Sequence, residues 1–162
     1  MIDKQELEQG INDRKYIVFR LLEEEYGVEV NQVRSIERMQ RITRVPRTPA
    51  FVKGVMNLRG VVTPVIDLKT RFNLGTENYT DSTRIIIVAV NDMEVGLIVD
   101  AANDVVDIET SAIEPPPEVV GGLRAAYLDG VANLGQRLLI ILNLEKVLNI
   151  EELQQFNEVE SE

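Results

Sequence analysis

The chain has 162 residues, 44% of them apolar, and it carries a formal net charge of −10 at pH 7 with no Cys, His or Trp. Without Cys or His there is no disulfide framework, zinc finger, iron–sulfur site or His-based catalytic triad, and no glycine-rich phosphate loop is present either. An all-oxygen cation site and a carboxylate-based hydrolase remain open on composition alone, but an enzyme is the less favoured interpretation, and we expect no metal or cofactor.

Charge is unevenly distributed along the chain. Residues 34–71 contain nine Lys and Arg against two Asp and Glu, whereas residues 72–162 contain four against 17. The net negative charge of the chain argues against general nucleic-acid binding, which depends on a positive electrostatic potential at the protein surface. The basic stretch has two interpretations: a solvated face that balances the acidic half, or a docking surface for an acidic partner.

No segment of the sequence is typical of a membrane or secreted protein. Apolar runs stay far below the roughly 18–20 residues that span a bilayer, and the first residues lack the apolar core of a signal peptide. We therefore expect a soluble, cytoplasmic protein.

An internal repeat organises the sequence. Residues 16–30 align with residues 85–99 at an offset of 69, and residues 54–58 align with residues 130–134 at an offset of 76. Shared Gly and Asn positions indicate a tandem duplication rather than a chance similarity of apolar strands.

Each half of the repeat is predicted to be β-rich, because its apolar segments are rich in β-branched and aromatic residues. Short strands in so small a unit cannot bury both faces of an open sheet, so we expect two small closed barrels, SH3-like or OB-like, packed together. The predicted strands are 15–21, 26–30, 54–58 and 61–66 in the first half and 84–90, 95–99, 130–134 and 137–142 in the second, with turns at 23–25 and 91–94.

A short helix is predicted after each second hairpin. Asp67 is the candidate N-cap for residues 68–73, and its repeat partner Asn143 is the candidate for residues 144–149. Because Asn can cap a helix but cannot act as a general base, a catalytic role for Asp67 is disfavoured. Residues 151–156 are the candidate for a final helix.

These elements give the predicted domain bounds. Residues 1–13 are expected to form a mobile tail, 14–80 the first barrel and 82–150 the second barrel, with an exchange of strands between the barrels left open. Residues 151–162 are expected to form a helix and an acidic tail.

Both halves carry a proline-rich loop at the same place in the repeat. Residues 44–49 contain two prolines and residues 114–118 contain three, and such segments are stiff and extended. Each loop has two interpretations, as a spacer or as a preorganised docking edge.

Comparison of equivalent positions in the two halves distinguishes residues that the fold requires from candidates for function. Gly54 and Gly130 occupy the same position in both halves and are therefore assigned to the fold. Arg59 differs, because the same turn in the second half holds Gly135. A guanidinium on a turn can hold a carboxylate bidentately, so Arg59 is a candidate binding residue, with a solvated arginine as the alternative.

Four segments carry a resemblance to a known family. Residues 23–33 (EEEYGVEVNQV), 48–68 (TPAFVKGVMNLRGVVTPVIDL), 95–108 (VGLIVDAANDVVDI) and 135–148 (GQRLLIILNLEKVL) resemble the CheW family of bacterial chemotaxis coupling proteins. The resemblance implies two five-stranded SH3-like barrels over residues 14–150. It also implies a non-enzymatic adaptor that couples transmembrane chemoreceptors to the regulatory domain of the histidine kinase CheA, in the cytoplasm at membrane receptor arrays.

The resemblance further implies two sets of interface residues. The family's receptor-contact groove between the barrels falls at Val33, Gly54, Arg59, Gly96, Ala102 and Val105. The kinase-binding residues are assigned to the segments around the proline-rich loops: Ile42, Val45 and Pro46 in the first barrel, and Ile113, Glu118 and Val119 in the second.

One position departs from the family pattern. The family usually has an acidic residue at the position of Ser35, which looks like the ion-pair partner of the turn arginine, Arg59. Serine cannot neutralise a guanidinium, whereas Glu37 lies two residues further along the same strand and would share its face. Glu37 is therefore the candidate substitute.

Three other functions compete with this one. A CheW-like adaptor of a non-chemotactic motility or regulatory array would have the same barrels. A nucleic-acid-binding double barrel would need aromatic side chains along the basic stretch, which has only Phe51 and Phe72. An enzyme would need clustered carboxylates in a cleft, and the densest cluster, at residues 23–25, lies at a predicted hairpin turn.

Overall fold

The computed structural model describes residues 13–75, 78–120 and 123–148, and over these ranges the chain is mainly β-structure. The first half contributes β1 (Asp13–Leu21), β2 (Glu24–Glu29), β3 (Val33–Arg38), β4 (Val52–Leu58) and β5 (Val61–Asp67). The second half contributes β6 (Arg84–Val90), β7 (Met93–Val99), β8 (Ala101–Glu109), β9 (Ile113–Glu114), β10 (Val119–Val120), β11 (Leu123–Arg124), β12 (Leu128–Asn133) and β13 (Leu138–Leu142). Helices α1 (Leu68–Arg71) and α2 (Leu144–Leu148) follow β5 and β13.

The two predicted tails and the predicted helix over 151–156 lie outside the described residues, apart from Asp13, which begins β1.

The predicted hairpins are present, and the structure corrects some of their bounds. The first turn consists of Leu22 and Glu23, and β2 already begins at Glu24 because Leu22 takes a positive φ of 56° that closes a short turn. Residues 30–32, partly predicted as strand, form a 3-10 turn. Helix α1 is shorter than predicted, because Asn73 adopts a left-handed φ of 60°.

Each of the two large sheets is built from strands of both halves of the repeat. The six-stranded sheet has the order β8-β1-β2-β13-β12-β9, and the five-stranded sheet has the order β3-β6-β7-β5-β4. In each sheet a short parallel pairing joins the first hairpin of one half to the second hairpin of the other, β2 with β13 and β7 with β5. The two halves of the sequence are therefore interleaved in space.

The edges of each sheet approach one another, so the sheets are curled. Strand β3 lies at one edge of the five-stranded sheet, yet the chain that leaves β3 crosses to the opposite edge, where Thr43 pairs with Val55 of β4. The six-stranded sheet repeats this arrangement, since β8 lies at one edge and the following strand β9 pairs with β12 at the other. The shared topology agrees with the duplication seen in the sequence.

Apolar clusters cover both faces of the two sheets. The largest cluster lies between the sheets and includes Phe19 of β1, Tyr26 of β2 and Leu97 of β7. Alternate residues along the strands point to the opposite face of each sheet. Val18 thus belongs to a cluster inside the six-stranded sheet, and Ile87 to one inside the five-stranded sheet. This alternation is the period of two that an extended strand imposes on its side chains.

Gly54 and Gly130 let the crossing chain come close to the second hairpin of each half. A Cβ at Gly54 would lie 2.0 Å from the carbonyl oxygen of Thr43, and a Cβ at Gly130 would lie 2.6 Å from that of Glu114. Both glycines adjoin a β-bulge at the same place in the repeat. The assignment of this pair to the fold is confirmed.

Asp67 and Asn143 cap the two helices, as predicted. The Asp67 carboxylate accepts a hydrogen bond from the Thr70 backbone N–H at 3.1 Å, and the Asn143 side chain accepts one from Lys146 at 3.2 Å. The other carboxylate oxygen of Asp67 accepts a hydrogen bond from the Tyr79 hydroxyl at 2.7 Å. Burial and this contact with Asp67 raise the pKa of Tyr79. Both oxygens of Asp67 are thus engaged in holding the fold together.

Tyr26 provides a test of the core between the sheets. Its ring stacks on Phe19 with centroids 5.7 Å apart, while its buried hydroxyl has no hydrogen-bond partner among the described residues. Burial raises the pKa of Tyr26 to about 12, so the hydroxyl stays neutral at ordinary pH. Because an unsatisfied buried hydroxyl costs about 1–3 kcal/mol, we expect Tyr26→Phe to keep or raise the Tm measured by circular dichroism.

The matched variant Tyr26→Ala removes the ring as well and should lower stability by about 3–5 kcal/mol, as expected for a large aromatic residue. If Tyr26→Phe lowered the Tm instead, the hydroxyl would have to be hydrogen-bonded in solution.

Candidate protein-interaction site

Three of the residues assigned to the receptor groove lie on two edge strands. Val33 begins β3 at the edge of the five-stranded sheet, and Ala102 and Val105 lie on β8 at the edge of the six-stranded sheet. Both strands contact β6, so both lie next to the boundary between the sheets. Val105 is 54% exposed, whereas Val33 and Ala102 are half-buried. The boundary therefore exposes apolar surface, mainly at Val105.

Arg59 occupies the turn between β4 and β5 in a conformation that arginine seldom adopts. Its φ is 53°, and the φ of the following Gly60 is 86°. Two successive positive φ values are typical of a type I′ turn, in which Asn, Asp or Gly is the usual first residue. The side chain of Arg59 is nevertheless 77% exposed. The turn thus holds a cation that its backbone does not require.

Glu37 of β3 pairs with Arg59, which answers the question that Ser35 raised in the sequence. The Glu37 Oε1 lies 3.4 Å from the Arg59 Nη2. An exposed ion pair of this length contributes only about 0–1 kcal/mol to stability. Strand β3 and the β4–β5 turn lie at opposite ends of the strand order, so this contact bridges the two edges of the curled sheet.

Arg137 makes a similar contact in the second half, and the comparison of the repeats missed it. It bonds bidentately to Glu25 at 2.7 and 2.8 Å, and its Nη2 lies 3.2 Å from Asp104 of β8. At the offset of 69, Asp104 is the repeat partner of Ser35. Arg137 escaped notice because it lies two residues beyond the position aligned with Arg59. A search for any cation in the same turn would have found it.

Two other residues of the receptor set are buried glycines. Gly54 lies under the crossing chain, and a Cβ at Gly96 would meet the Cγ2 of Ile85 at 2.8 Å. Gly96 is also paired with Val65 across the parallel junction of β5 and β7. Substitutions at either glycine would therefore act on the fold before they act on any bound partner.

The first-half residues assigned to the kinase line one open groove. This groove, here called the basic groove, is formed by parts of residues 39–53 together with Tyr79, and its volume is about 740 Å³. Ile42 and Val45 are half-buried in it, and Pro46 is exposed. The residues that line it include no acidic side chain and three basic ones: Arg44, Arg47 and Lys53.

One wall of the basic groove is a tight turn. Pro46 is followed by Arg47 with a φ of 64°, and the Thr48 hydroxyl donates a hydrogen bond to the Val45 carbonyl at 3.1 Å. Proline followed by a residue with positive φ is typical of a type II turn. Because proline fixes its own φ, this wall is stiff before any partner binds.

The second-half residues assigned to the kinase lie elsewhere. Ile113 of β9 is half-buried against the cluster inside the six-stranded sheet, and the carbonyl of the exposed Glu118 accepts a hydrogen bond from Ala125 at 2.9 Å. Val119 begins β10, and its side chain is outside the described part of the chain. None of these three is among the described residues that line the basic groove. Among the described residues, Ile113 and Glu118 therefore do not join the first set in the basic groove.

Two members of the basic stretch are structural. Lys69 is buried and pairs with Asp100 at 2.7 Å. Arg71 donates from Nε to the Val147 carbonyl at 2.7 Å, and its guanidinium lies 4.4 Å from the centre of the Phe51 ring. The contacts with Asp100 and Val147 tie α1 to the second half. Neither a solvated face nor a docking surface therefore describes the whole basic stretch.

The described ranges contain neither a metal-binding cluster nor a membrane-spanning helix. Among residues 13–75, 78–120 and 123–148, no group of three or more acidic, His or Cys side chains is placed to hold a metal ion. Over the same residues, the helices are too short to cross a membrane.

The chain is similar to known proteins over most of its length. A family model described as a CheW-like domain matches residues 15–152. The chain is 48% identical over 140 residues to chemotaxis protein CheW of Bacillus subtilis (strain 168), covering 86% of this chain and 90% of the relative. It is 38% identical over 140 residues to chemotaxis protein CheW of Klebsiella aerogenes, covering 86% and 84%. The crystal structure of the scaffolding protein TtCheW from Thermoanaerobacter tengcongensis matches with a TM-score of 0.77 and 40% identity, covering 83% of this chain and 86% of that one.

Proposed function

Because the chain belongs to the CheW family of chemotaxis scaffold proteins, we propose that it couples chemoreceptors to the histidine kinase CheA without catalysing a reaction itself. The scaffold acts in the cytoplasm, at membrane receptor arrays. The observation that carries this proposal is the exposed guanidinium of Arg59, held in a turn whose backbone does not require it, beside the edge of a sheet. A receptor and a kinase then occupy separate surfaces of one small protein.

The receptor surface is proposed to lie at the boundary between the sheets, around Val33, Val105 and Arg59. An amphipathic helix at the tip of a receptor can lay its apolar face on such a surface. The guanidinium of Arg59 can pair bidentately with a receptor carboxylate, and charge-assisted bonds of this kind are among the stronger polar contacts. Its present contact with Glu37 is long, at 3.4 Å, so exchanging Glu37 for a receptor carboxylate costs little.

Each curled sheet is proposed to be one of the SH3-like barrels that the family resemblance implies. Support comes from the approach of the sheet edges and from the apolar cluster inside each sheet, which in the five-stranded sheet takes Met56, Val65 and Ile98 from three strands. The kinase regulatory domain is a CheW-like double barrel by the same resemblance. A surface on one barrel that is shaped to meet another barrel fits this pairing.

The kinase regulatory domain is proposed to dock on the basic groove. Half-buried Ile42 and Val45 provide apolar anchors, and the exposed Arg44 and Arg47 line the same groove. An apolar centre with a polar rim is the usual anatomy of a protein interface. The stiff turn at Pro46 lowers the ordering cost of binding.

Titration calorimetry tests the kinase part of the proposal. The full chain, titrated with an isolated CheA regulatory domain, should show saturable one-to-one binding. Val45→Glu should weaken this binding about tenfold or more, since it replaces an apolar contact with a carboxylate that must lose its water when the kinase docks. The variant Arg59→Ala should bind the kinase domain as tightly as the unsubstituted protein, because residue 59 lies in the β4–β5 turn and not in the groove.

The thermal transition of Val45→Glu is the control, and it should stay close to that of the unsubstituted protein because Val45 is only half-buried. A well-folded protein that gave no heat and did not co-migrate with the kinase domain would refute the kinase part of the proposal.

A further inference from the structure

We propose that the acidic C-terminal segment, residues 149–162, docks on the basic groove of its own chain and competes there with the kinase. The docking is an intramolecular property of this chain. The competition rests on the proposed function, because it requires the kinase to use the same groove.

Charge complementarity is the first argument. The C-terminal segment contains five Glu and no Lys or Arg, whereas residues 38–53 contain five Lys and Arg and no Asp or Glu. Arg44 and Arg47 of that stretch are exposed and line the groove. Exposed charges attract effectively only within roughly 8 Å at physiological salt, a separation that a segment lying in the groove provides.

Apolar complementarity is the second argument. The segment has an apolar residue at every third position over most of its length: Ile150, Leu153, Phe156 and Val159. The groove is also lined by half-buried apolar side chains: Met39, Ile42 and Val45. An acidic segment with apolar side chains thus matches a groove that is lined by basic and apolar side chains.

The starting point of the segment is the third argument. Helix α2 ends at Leu148, and the carbonyl of Val147 accepts a hydrogen bond from Arg71, whose guanidinium lies over the ring of Phe51. Since Nε and Cζ of Arg71 are directly bonded, the Val147 carbonyl lies within about 9 Å of the Phe51 ring centre. Phe51 immediately precedes Val52, which lines the groove.

Reach and affinity follow from this attachment. A chain of 14 residues spans up to roughly 45 Å when extended, far more than the path from Phe51 into the groove needs. A tethered segment also has an effective concentration in the millimolar range, so even a weak contact is substantially occupied.

Paramagnetic relaxation tests the docking. The chain has no Cys, so Ser161→Cys provides a single attachment site for a nitroxide label on the full-length protein. Amide signals of residues 42–48 should broaden selectively in NMR spectra, and the broadening should disappear at high salt and in the double variant Arg44→Glu, Arg47→Glu. Arg41→Glu is the matched control, because Arg41 is exposed but does not line the groove, and it should retain the broadening.

A well-dispersed spectrum without broadening at residues 42–48 would overturn the proposal. So would broadening that survives the double substitution, because the charge match would then have no part in it.

Kinase binding tests the competition. The triple variant Glu158→Gln, Glu160→Gln, Glu162→Gln should bind the CheA regulatory domain about twofold more tightly, because a site that is half-occupied by its own segment loses half its apparent affinity. The control is a second triple variant, which changes three exposed glutamates elsewhere and alters the net charge equally: Glu23→Gln, Glu94→Gln, Glu109→Gln. This control should show no gain in affinity for the kinase domain. An equal gain in both variants would refute competition. If no form binds the kinase domain, the proposed function fails while the relaxation measurement still decides the docking.

Discussion

Gly54→Ala should destabilise the protein by about 3 kcal/mol or more and lower its Tm by roughly 10 °C. The new Cβ would lie 2.0 Å from the Thr43 carbonyl oxygen and 2.8 Å from its carbonyl carbon, at a φ of +146° that disfavours any side chain. Both of these atoms belong to the backbone, so they cannot rotate out of the way. The chain that crosses from β3 to β4 must move, which breaks the paired hydrogen bonds of 2.7 and 2.8 Å between Thr43 and Val55.

Two other glycines serve as matched controls for Gly54. Gly60 has a φ of +86° and no atom within 4 Å of a built Cβ, so Gly60→Ala isolates the cost of positive φ at about 1 kcal/mol. Gly130→Ala isolates the close approach, since its Cβ would lie 2.6 Å from the Glu114 carbonyl oxygen. Differential scanning calorimetry should rank the losses as Gly54, Gly130, Gly60.

The same experiment bears on function. Gly54 is one of the residues that the family resemblance places in the receptor groove, yet it is buried. Loss of receptor binding in Gly54→Ala should therefore accompany the loss of stability. A variant that kept its Tm but lost receptor binding would contradict this reasoning and would make Gly54 a direct contact.

The local elements of the fold could be predicted because their causes lie within a few residues. The N-caps Asp67 and Asn143 act on backbone N–H groups three residues away, and the hairpins follow from apolar segments with turns between them. The partner of each hairpin could not be predicted. Both halves of the repeat contain equivalent strands, so the sequence does not show whether a hairpin pairs within its own half or with the other half. The short parallel pairings of β2 with β13 and β7 with β5 join hairpins from different halves.

Residues of the candidate site could be predicted where the two halves of the repeat differ in sequence. They could not be predicted where burial in the folded protein determines what a residue contacts. Arg59 stood out because its repeat partner is a glycine. Lys69 and Arg71 belong to the same basic stretch, but their contacts with Asp100 and Val147 depend on tertiary packing that their sequence neighbours do not indicate. The basic groove likewise requires the fold, because Tyr79 joins its wall from a segment beyond α1.

Arg59→Ala should weaken receptor binding by about ten- to a hundredfold while leaving stability within about 0.5 kcal/mol. The guanidinium is 77% exposed, and its 3.4 Å contact with Glu37 is a surface ion pair, so its loss costs the fold little. A hydrogen bond to a charged group contributes about 1.5–3 kcal/mol, which gives the expected loss of affinity. Co-sedimentation with vesicles that contain receptors, together with a thermal melt, measures both quantities.

Two further variants separate the charge of Arg59 from its backbone conformation. Arg59→Asn removes the cation but suits the positive φ of the turn, so it should lose receptor binding like Arg59→Ala while melting no earlier than the unsubstituted protein. Glu37→Gln releases Arg59 from its carboxylate and should keep receptor binding, because the receptor then meets no competing anion. A collapsed thermal transition in both Arg59 variants would instead make the arginine a structural clamp between the sheet edges, as Arg137 is in the other sheet. The geometry argues against that outcome, since Arg137 is bonded bidentately at 2.7 and 2.8 Å and only 32% exposed, whereas Arg59 has neither property.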